Sequence, residues 1–116
     1  MTTPEPMPAA YYALTATEAE FTTQLLEALA LFGWRAVHFR PARTNHGWRT
    51  PLQGDKGWPD IFAVRGPRAL AAELKSGKGK VEPEQADWLS DLAAAGIETH
   101  VWRTTDDFGT IVETIR

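Results

Sequence analysis

Three charged residues of this chain stand at a spacing that suits hydrolytic chemistry. Asp60 is followed after twelve residues by Glu73, and Lys75 comes two positions later. All three lie in strand-forming sequence, in which residues 61–64 are apolar and β-favouring and Gly66-Pro67 reverses the chain. Charges within apolar strands cost free energy unless they are compensated, so they usually serve a function.

Strand geometry predicts where these side chains point. Glu73 and Lys75 share a face, because side chains alternate along a strand. A reversal centred on Gly66-Pro67 places Asp60 directly across from Glu73, with Cβ atoms about 4.5–5.5 Å apart. Two carboxylates that close repel each other unless a proton or a metal ion lies between them. The stretch therefore predicts a divalent-metal site, and an ordinary Glu73–Lys75 ion pair on a solvated face is the alternative.

Pro67 affects the prediction for the turn itself. A proline fits poorly inside a two-residue hairpin turn. We therefore expect a loop of about four residues, which leaves the same strand residues opposite each other.

The motif resembles the signature of PD-(D/E)XK nucleases, formed here by Pro59-Asp60 and Glu73-Leu74-Lys75. The flanking residues are similar to those of the VRR-NUC (virus-type replication-repair nuclease) branch, with Gly57 two positions before the proline and Pro83-Glu84-Gln85 at the start of a helix. The resemblance covers residues 18–103. It implies an α/β fold with a restriction-endonuclease-like core, in which helices flank a mixed central β-sheet.

The resemblance also implies metal-dependent hydrolysis of phosphodiester bonds. Asp60 and Glu73 would hold Mg²⁺ or Mn²⁺, and Mg²⁺ prefers oxygen ligands while keeping several waters. The backbone carbonyl of Leu74, between the two functional side chains, is a further candidate ligand, and Lys75 would bind the attacking water. A glutamate of the first helix, Glu20, would complete the metal site.

Glu20 has a second interpretation. Thr17 can cap the first helix with Glu20 at its third position, as in a capping box. Thr15 with Glu18 can make the same box, which would leave Glu20 free to reach the metal.

Two further polar residues also have two interpretations each. His38 is either a packed core histidine or a contact to the scissile phosphate or a metal-bound water. Gln85 is either an exposed helix residue or, as the resemblance implies, a support for the active site.

The charge distribution favours a nucleic-acid substrate. The net charge is −3, but residues 34–80 hold ten basic and three acidic residues, whereas residues 1–33 and 81–116 are both acidic. A basic stripe around the site is what phosphate binding needs, and a solvated loop with scattered arginines is the alternative. The chain has no cysteine, which excludes disulfides and cysteine-ligated zinc.

The segment 41–58 is predicted to be an irregular, substrate-grasping flap, because cations bind phosphates and indoles stack on unpaired bases. The alternative is that Trp48 and Trp58 anchor this loop on the core. A second basic loop, residues 76–80, is predicted to be flexible. The predicted nucleic-acid-binding residues of both loops and the preceding strand are Arg40, Arg43, Trp48, Arg49, Lys56, Lys78 and Lys80.

The order of elements is predicted as α-β-β-β-α-β-α. Helices are expected at 17–32, 83–96 and from 104 onward, and strands at 35–40, 61–64, 70–75 and 97–102. Apolar residues at helical spacing predict the core face of the first helix (Phe21, Leu25, Ala28, Leu29, Phe32) and of the second (Trp88, Leu89, Leu92, Ala93). They form a single domain at residues 15–116 after a flexible tail at 1–14. The tail has no basic residue and no apolar core, and no run is long enough to span a membrane, so we expect a cytoplasmic protein.

These patterns predict a metal-dependent endonuclease that hydrolyses DNA, particularly branched, flap or junction DNA in repair or phage biology. The resemblance implies a homodimer as the working unit. No Walker loop, GxGxxG, HExxH or GxSxG sequence competes with this prediction. The alternatives are a catalytically silent nucleic-acid-binding module and an accessory subunit that is active only with a partner.

Overall fold

The computed structural model describes residues 17–39, 42–44, 47–49 and 53–116, and of residues 42–44 and 47–49 the backbone alone. The elements are α1 (Glu18–Leu31), β1 (Arg35–His38), β2 (Ala42–Thr44), β3 (Gly47–Arg49), β4 (Ile61–Arg65), β5 (Arg68–Lys75), α2 (Pro83–Ala94), β6 (Glu98–Arg103) and α3 (Phe108–Ile115). The predicted tail at 1–14 and the end of the first predicted strand at Arg40 lie outside the described residues.

A mixed four-stranded sheet organises the domain. Its strand order is β1-β4-β5-β6, in which β1 and β5 run antiparallel to β4 and β6 runs parallel to β5. With the helices, this is the predicted α-β-β-β-α-β-α order. The prediction that segment 41–58 is wholly irregular is wrong, because β2 and β3 pair there as a separate antiparallel hairpin.

The turn between β4 and β5 is shorter than predicted. Arg65 pairs with Arg68, so Gly66-Pro67 is a two-residue turn and the expected loop of four residues is wrong. Gly66 has φ +57°, which glycine adopts at little cost, and the proline ring fixes the next φ near about −65°. A positive φ followed by a negative one fits a type II′ hairpin turn, which accepts proline in the second position. The predicted register is confirmed, since Ile61 pairs with Ala72.

The main core lies on one face of this sheet. Alternate residues of β4 and β5 point to that side and are almost fully buried: Ile61, Ala63, Leu70, Ala72 and Leu74. The buried residues of α1 and α3 that pack against them are Phe21, Leu25, Leu29, Ile111 and Ile115. Each large aliphatic side chain buried here contributes about 1.5–3 kcal/mol, so the burial of this face stabilises the fold strongly. The predicted core face of the first helix is confirmed.

The turn end of the β4–β5 hairpin is tied to the end of α3. The guanidinium groups of Arg65 and Arg68 lie over the ring of Trp34, 4.7 and 4.8 Å from its centroid. Trp34 Nε1 donates to the carbonyl of Ile115 at 2.7 Å, and Arg65 donates to the same oxygen at 3.0 Å. These contacts tie the turn end of the hairpin to the end of α3. Asp60, Glu73 and Lys75 lie at the opposite end of the hairpin.

Helix α2 lies on the opposite face and covers only part of it. It packs mainly against β5 and β6. On the side predicted to enter the core, Trp88, Leu89 and Leu92 are only partly buried and Ala93 is exposed, and no residue of α2 is fully buried. On the uncovered part of this face, Val37 and Val64 are 46% and 38% exposed. Within the described ranges, none of the helices is long and apolar enough to cross a membrane.

Candidate active site

Asp60 lies immediately before β4 and continues the pairing of the sheet with its side chain. Its carboxylate oxygen Oδ2 accepts a 2.9 Å hydrogen bond from the backbone N–H of Leu74, and its own carbonyl accepts from the N–H of Phe39 at 2.9 Å. The β4 backbone would supply the partner of Leu74 if the strand were longer. Asp60 is therefore fixed from both neighbouring strands, opposite Glu73, as the strand register predicts.

Glu73 is buried in the middle of the sheet face that carries the charges. It is 1% exposed, which for a carboxylate costs free energy unless each oxygen has a partner. Oxygen Oε1 accepts a hydrogen bond from Gln85 Nε2 at 3.0 Å and lies 3.5 Å from Lys75 Nζ. Oxygen Oε2 is buried and has no hydrogen-bond partner. One half of the carboxylate is thus satisfied by the protein, and the other half is left for a proton or a cation.

The electrostatics of the pair agree with this geometry. The pKa of Glu73 is raised to about 8, first by burial, then by the hydrogen bond that its protonated form can donate to the Asp60 carboxylate, and by the charge of Asp60. Lys75 acts in the opposite direction. A hydrogen bond between two carboxyl groups requires that one of them is protonated. In the absence of a cation, the Asp60–Glu73 pair therefore holds a proton near neutral pH.

Gln85 serves two purposes with one amide. Its Nε2 donates to Glu73, while its Oε1 accepts from the backbone N–H of Glu82 at 2.9 Å and closes the capping box of α2. Gln85 is thus partly buried against Glu73, and the helix start fixes the orientation of its amide.

The donor set around Glu73 fits a small, hard cation. The carbonyl of Lys75 accepts from Thr104 N, so the backbone of Lys75 faces β6 and that of Leu74 faces the other edge, towards Asp60. The site thus offers two carboxylates, one of which has a buried oxygen without a hydrogen-bond partner, and the backbone carbonyl of Leu74. These donors suit Mg²⁺, which proteins bind through one or two carboxylates.

The structure does not bring Glu20 into this site. Thr17 is the N-cap of α1, and its hydroxyl accepts from the N–H of Glu20 at 3.1 Å, so Thr17 caps the helix as the first interpretation predicts. The Glu20 side chain is exposed on the outer face of α1, next to Gln24 and Glu27. In the part of the chain that the structure describes, no three carboxylate or imidazole groups gather to hold a metal ion, so Glu20 does not complete a set with Asp60 and Glu73.

His38 also points elsewhere. It pairs with Ile61 at the end of β1 and therefore shares the face of Ile61, opposite to that of Glu73. The strand register thus favours a structural position for His38, partly buried at the margin of the core.

The basic loop 76–80 is in contact with residues at the end of β6. The Arg103 guanidinium donates to the backbone carbonyls of Ser76 and Gly79. A Cβ on Gly77 would lie 2.5 Å from Thr105 Cγ2, so the loop passes directly against the end of β6. Lys78 and Lys80 are exposed on this loop.

Arg103 was missed because its role depends on a long-range pairing. It lies opposite Lys75 in the parallel β5–β6 ladder and thus meets the loop that follows β5. The available signal was an arginine at the end of the strand after α2.

Trp58 anchors the segment that leads into Asp60. Its ring packs against those of Phe39, Phe62 and Trp88, with centroids 6.1, 5.8 and 5.0 Å away. Trp88 Nε1 donates to the Lys56 carbonyl at 3.0 Å, so this segment is docked on α2. The anchoring interpretation is confirmed for Trp58. The side chains of Arg43, Trp48 and Arg49, and the whole of Arg40, lie outside the described residues.

Comparison with known proteins identifies the class of fold. No protein-family profile and no curated protein matches the chain. Among solved structures, Archaeoglobus fulgidus Hjc, a Holliday junction resolvase from an archaeal hyperthermophile, is similar with a TM-score of 0.51 and 24% identity, over 73% of this chain and 66% of that one. A VRR_NUC domain protein is similar with a TM-score of 0.46 and 22% identity, over 53% of this chain and 54% of that one.

The chain spans less than two thirds of either solved protein. At this level of identity, the likeness to Hjc establishes the fold alone. The predicted α/β fold with a restriction-endonuclease-like core is confirmed, and the chain shares this fold with Hjc.

Proposed function

We propose that this protein is a metal-dependent endonuclease that hydrolyses phosphodiester bonds in DNA. The observation that carries the proposal is the buried Glu73, which lies opposite Asp60 with one oxygen unpartnered and has Lys75 Nζ 3.5 Å from its other oxygen. A raised pKa from burial and a second carboxylate, beside a lysine, is typical of a functional site.

The metal site is assigned to Asp60, Glu73 and the carbonyl of Leu74. Mg²⁺ or Mn²⁺ bound there would neutralise phosphate charge and lower the pKa of a water molecule. No third carboxylate is included, since Glu20 is exposed on α1.

The remaining chemistry falls to the side chains around that site. Lys75, whose side chain is only 16% exposed, donates hydrogen bonds to the attacking water and to a nonbridging phosphate oxygen. The water oxygen bonds to phosphorus as the bond to the leaving sugar oxygen breaks. The proton of the water passes to solvent, and the sugar oxygen takes one up. Gln85 holds Glu73 in the orientation that this reaction needs.

The DNA backbone is assigned to the basic loop 76–80 and to the flap. Lys78 and Lys80 are exposed on a loop that directly follows Lys75, so they contact phosphates next to the one that is cut. From the flap and the strand before it, the proposal includes Lys56 together with Arg40, Arg43, Trp48 and Arg49.

Branched, flap or junction DNA is the proposed substrate, and a homodimer is the proposed working unit. Two symmetric sites would meet two strands of a junction. Hjc is a Holliday junction resolvase, which makes a four-way junction the first substrate to try.

A substrate panel tests the function. Duplex, flap, fork and four-way junction DNAs are incubated with the purified full chain in Mg²⁺, Mn²⁺ or EDTA. We expect cleavage of at least one branched substrate with either metal and none in EDTA. Binding of these DNAs without cleavage in either metal would instead identify a silent binding module. Cleavage that appears only after a partner is added would identify an accessory subunit.

A further inference from the structure

We propose that Phe39 forms a stacking site for one unpaired nucleobase beside the Asp60–Glu73 pair. The proposal deepens the function proposed above and rests on it for the class of ligand, a nucleic acid. It assigns to this face of the sheet the preference for DNA that is not fully paired.

The strand register places Phe39 directly beside the carboxylates. The β1–β4 ladder ends with His38 opposite Ile61, and the Phe39 N–H donates to the Asp60 carbonyl at 2.9 Å, which continues the pairing by one residue. Phe39 and Asp60 therefore lie opposite each other and point to the same face. Phe39, Asp60 and Glu73 form one row across three neighbouring chain segments, with adjacent Cβ atoms about 4.5–5.5 Å apart.

Phe39 is accessible, and its neighbours on the side away from Asp60 are apolar. Phe39 is 37% exposed, and Val37, two residues earlier on the same face, is 46% exposed. Val37 lies opposite Phe62, so the next row of the sheet is apolar as well. This combination offers a nucleobase a flat face to stack on.

The ring is also held in one orientation before any ligand arrives. Phe39 meets Trp58 edge to face, with interplanar angle 86°, and Trp58 meets Trp88 in the same way at 83°. Because the aromatic rings support each other down to α2, little ordering remains to be done on binding, which favours affinity.

The position beside the carboxylates favours a nucleobase over a protein partner. Successive nucleotides of a strand rise by about 3.4 Å, so the bases flanking a phosphate at Asp60 and Glu73 lie within about one nucleotide of Phe39. A base within a duplex has both faces covered by its neighbours, whereas a base at a flap, fork or junction can stack on the ring. A second protein chain seated on Phe39 would also cover Asp60 and close the proposed site.

A fluorescence experiment separates stacking from cleavage. Forked DNA carries 2-aminopurine at the first unpaired position and is titrated with the full chain carrying Lys75→Ala, in EDTA. We expect quenching on binding. Adding Phe39→Leu, which keeps an apolar side chain but removes the π face, should abolish the quenching and weaken fork binding by about tenfold, with less than twofold change for duplex. Phe39→Tyr should retain both the quenching and the affinity.

Val64→Ala is the matched control, since Val64 is 38% exposed on the same face but lies on the far side of Phe62 from Asp60. Combined with Lys75→Ala, Val64→Ala should leave the quenching and the affinities for forked and duplex DNA at the values of the protein with Lys75→Ala alone. Quenching that persists with Phe39→Leu, or equal weakening of fork and duplex binding, would overturn the proposal. A change in the molar mass of the protein, measured by light scattering, in each of the variants Phe39→Leu and Val64→Ala would also overturn the proposal. Such a change would mean that this face is an interface between copies of the chain. If the unmodified protein cleaves none of these DNAs, only the proposed endonuclease function is contradicted, since the fluorescence quenching requires no cleavage.

Discussion

The side-chain amide of Gln85 joins the start of α2 to the buried carboxylate of Glu73, with a 3.0 Å hydrogen bond from Nε2 to Oε1. The same amide receives the N–H of Glu82 and completes the helix cap. Helix α2 therefore contributes to the site by orienting one carboxylate oxygen of Glu73, while the other oxygen has no hydrogen-bond partner in the protein.

Gln85→Ala should lower both stability and activity. Loss of the cap costs about 1 kcal/mol of unfolding free energy, and loss of the bond to Glu73 lowers the cleavage rate by about tenfold. Asp107→Ala is the control, because Asp107 caps α3 through the N–H of Gly109 and is not part of the site. Urea denaturation measures the stability of both variants, and cleavage rates measure their activity. If Gln85→Ala and Asp107→Ala are equally stable and equally active, Gln85 does not orient Glu73.

The stability of the metal-free protein should fall with rising pH because of Glu73. The pKa of this buried acid is raised to about 8 from an ordinary value of 4.5. Its protonated form therefore stabilises the fold fully below pH 4.5, and that contribution is lost as the pH rises through 8. In EDTA, Glu73→Gln should raise the Tm more at pH 8.5 than at pH 5, and Mg²⁺ should stabilise the unmodified protein most at the higher pH.

Glu98 provides a control of opposite sign. A hydrogen bond from Arg68 holds the pKa of Glu98 below its ordinary value, so Glu98→Gln should lower the Tm at pH 7 and have less effect at pH 4. A Glu73→Gln variant with the same pH profile as Glu98→Gln would contradict the account of Glu73.

Gly57→Ala should disturb the approach to Asp60. Gly57 has φ +102°, and a Cβ there would lie 2.6 Å from the Glu84 carbonyl group at the start of α2. Gly54 has φ +107° with no atom near its Cβ position, so Gly54→Ala tests backbone strain alone. We expect a loss of about 1 kcal/mol of unfolding free energy for Gly54→Ala, and a larger loss together with reduced cleavage for Gly57→Ala. Similar losses in both variants would contradict the packing of this segment against α2.

Arg103→Ala should weaken DNA binding although Arg103 is assigned no contact with DNA. Its removal frees the loop that carries Lys78 and Lys80, so the plot of log affinity against log salt should become less steep. The effect should be smaller in a protein that already lacks both lysines. Arg116→Ala removes an equal charge that pairs with Glu113 on the surface and should leave the slope unchanged. If Arg116→Ala lowers the slope equally, Arg103 acts only through its positive charge and not by holding the loop.

The hairpin of the site could be predicted from the sequence because strand alternation and the centre of the turn set the register together. The turn prediction was wrong in length yet right in pairing, since two or four residues around the same centre leave Asp60 opposite Glu73. Helix periodicity likewise identified the core face of α1. Glu20 was expected at the metal because of the resemblance, and periodicity could not correct this, since it does not say how far a helix end lies from the sheet.

Contacts that join distant elements were beyond the sequence pattern. Arg103 reaches loop 76–80 only because β6 runs parallel to β5, and an arginine at a strand end does not itself indicate that partner. The partial cover that α2 gives its sheet face was also missed, since an amphipathic pattern shows which side of a helix is apolar and not how much of it is buried.

The rate of Mg²⁺-dependent cleavage of a four-way junction by the purified protein and by Asp60→Asn and Lys75→Ala tests the central claim most directly. Asp60→Asn keeps an oxygen for the Leu74 N–H, so the fold should persist with a Tm change below about 5 °C. We predict that each substitution lowers the rate by about 100-fold or more. Cleavage at the original rate by either folded variant would contradict the assignment of the active site.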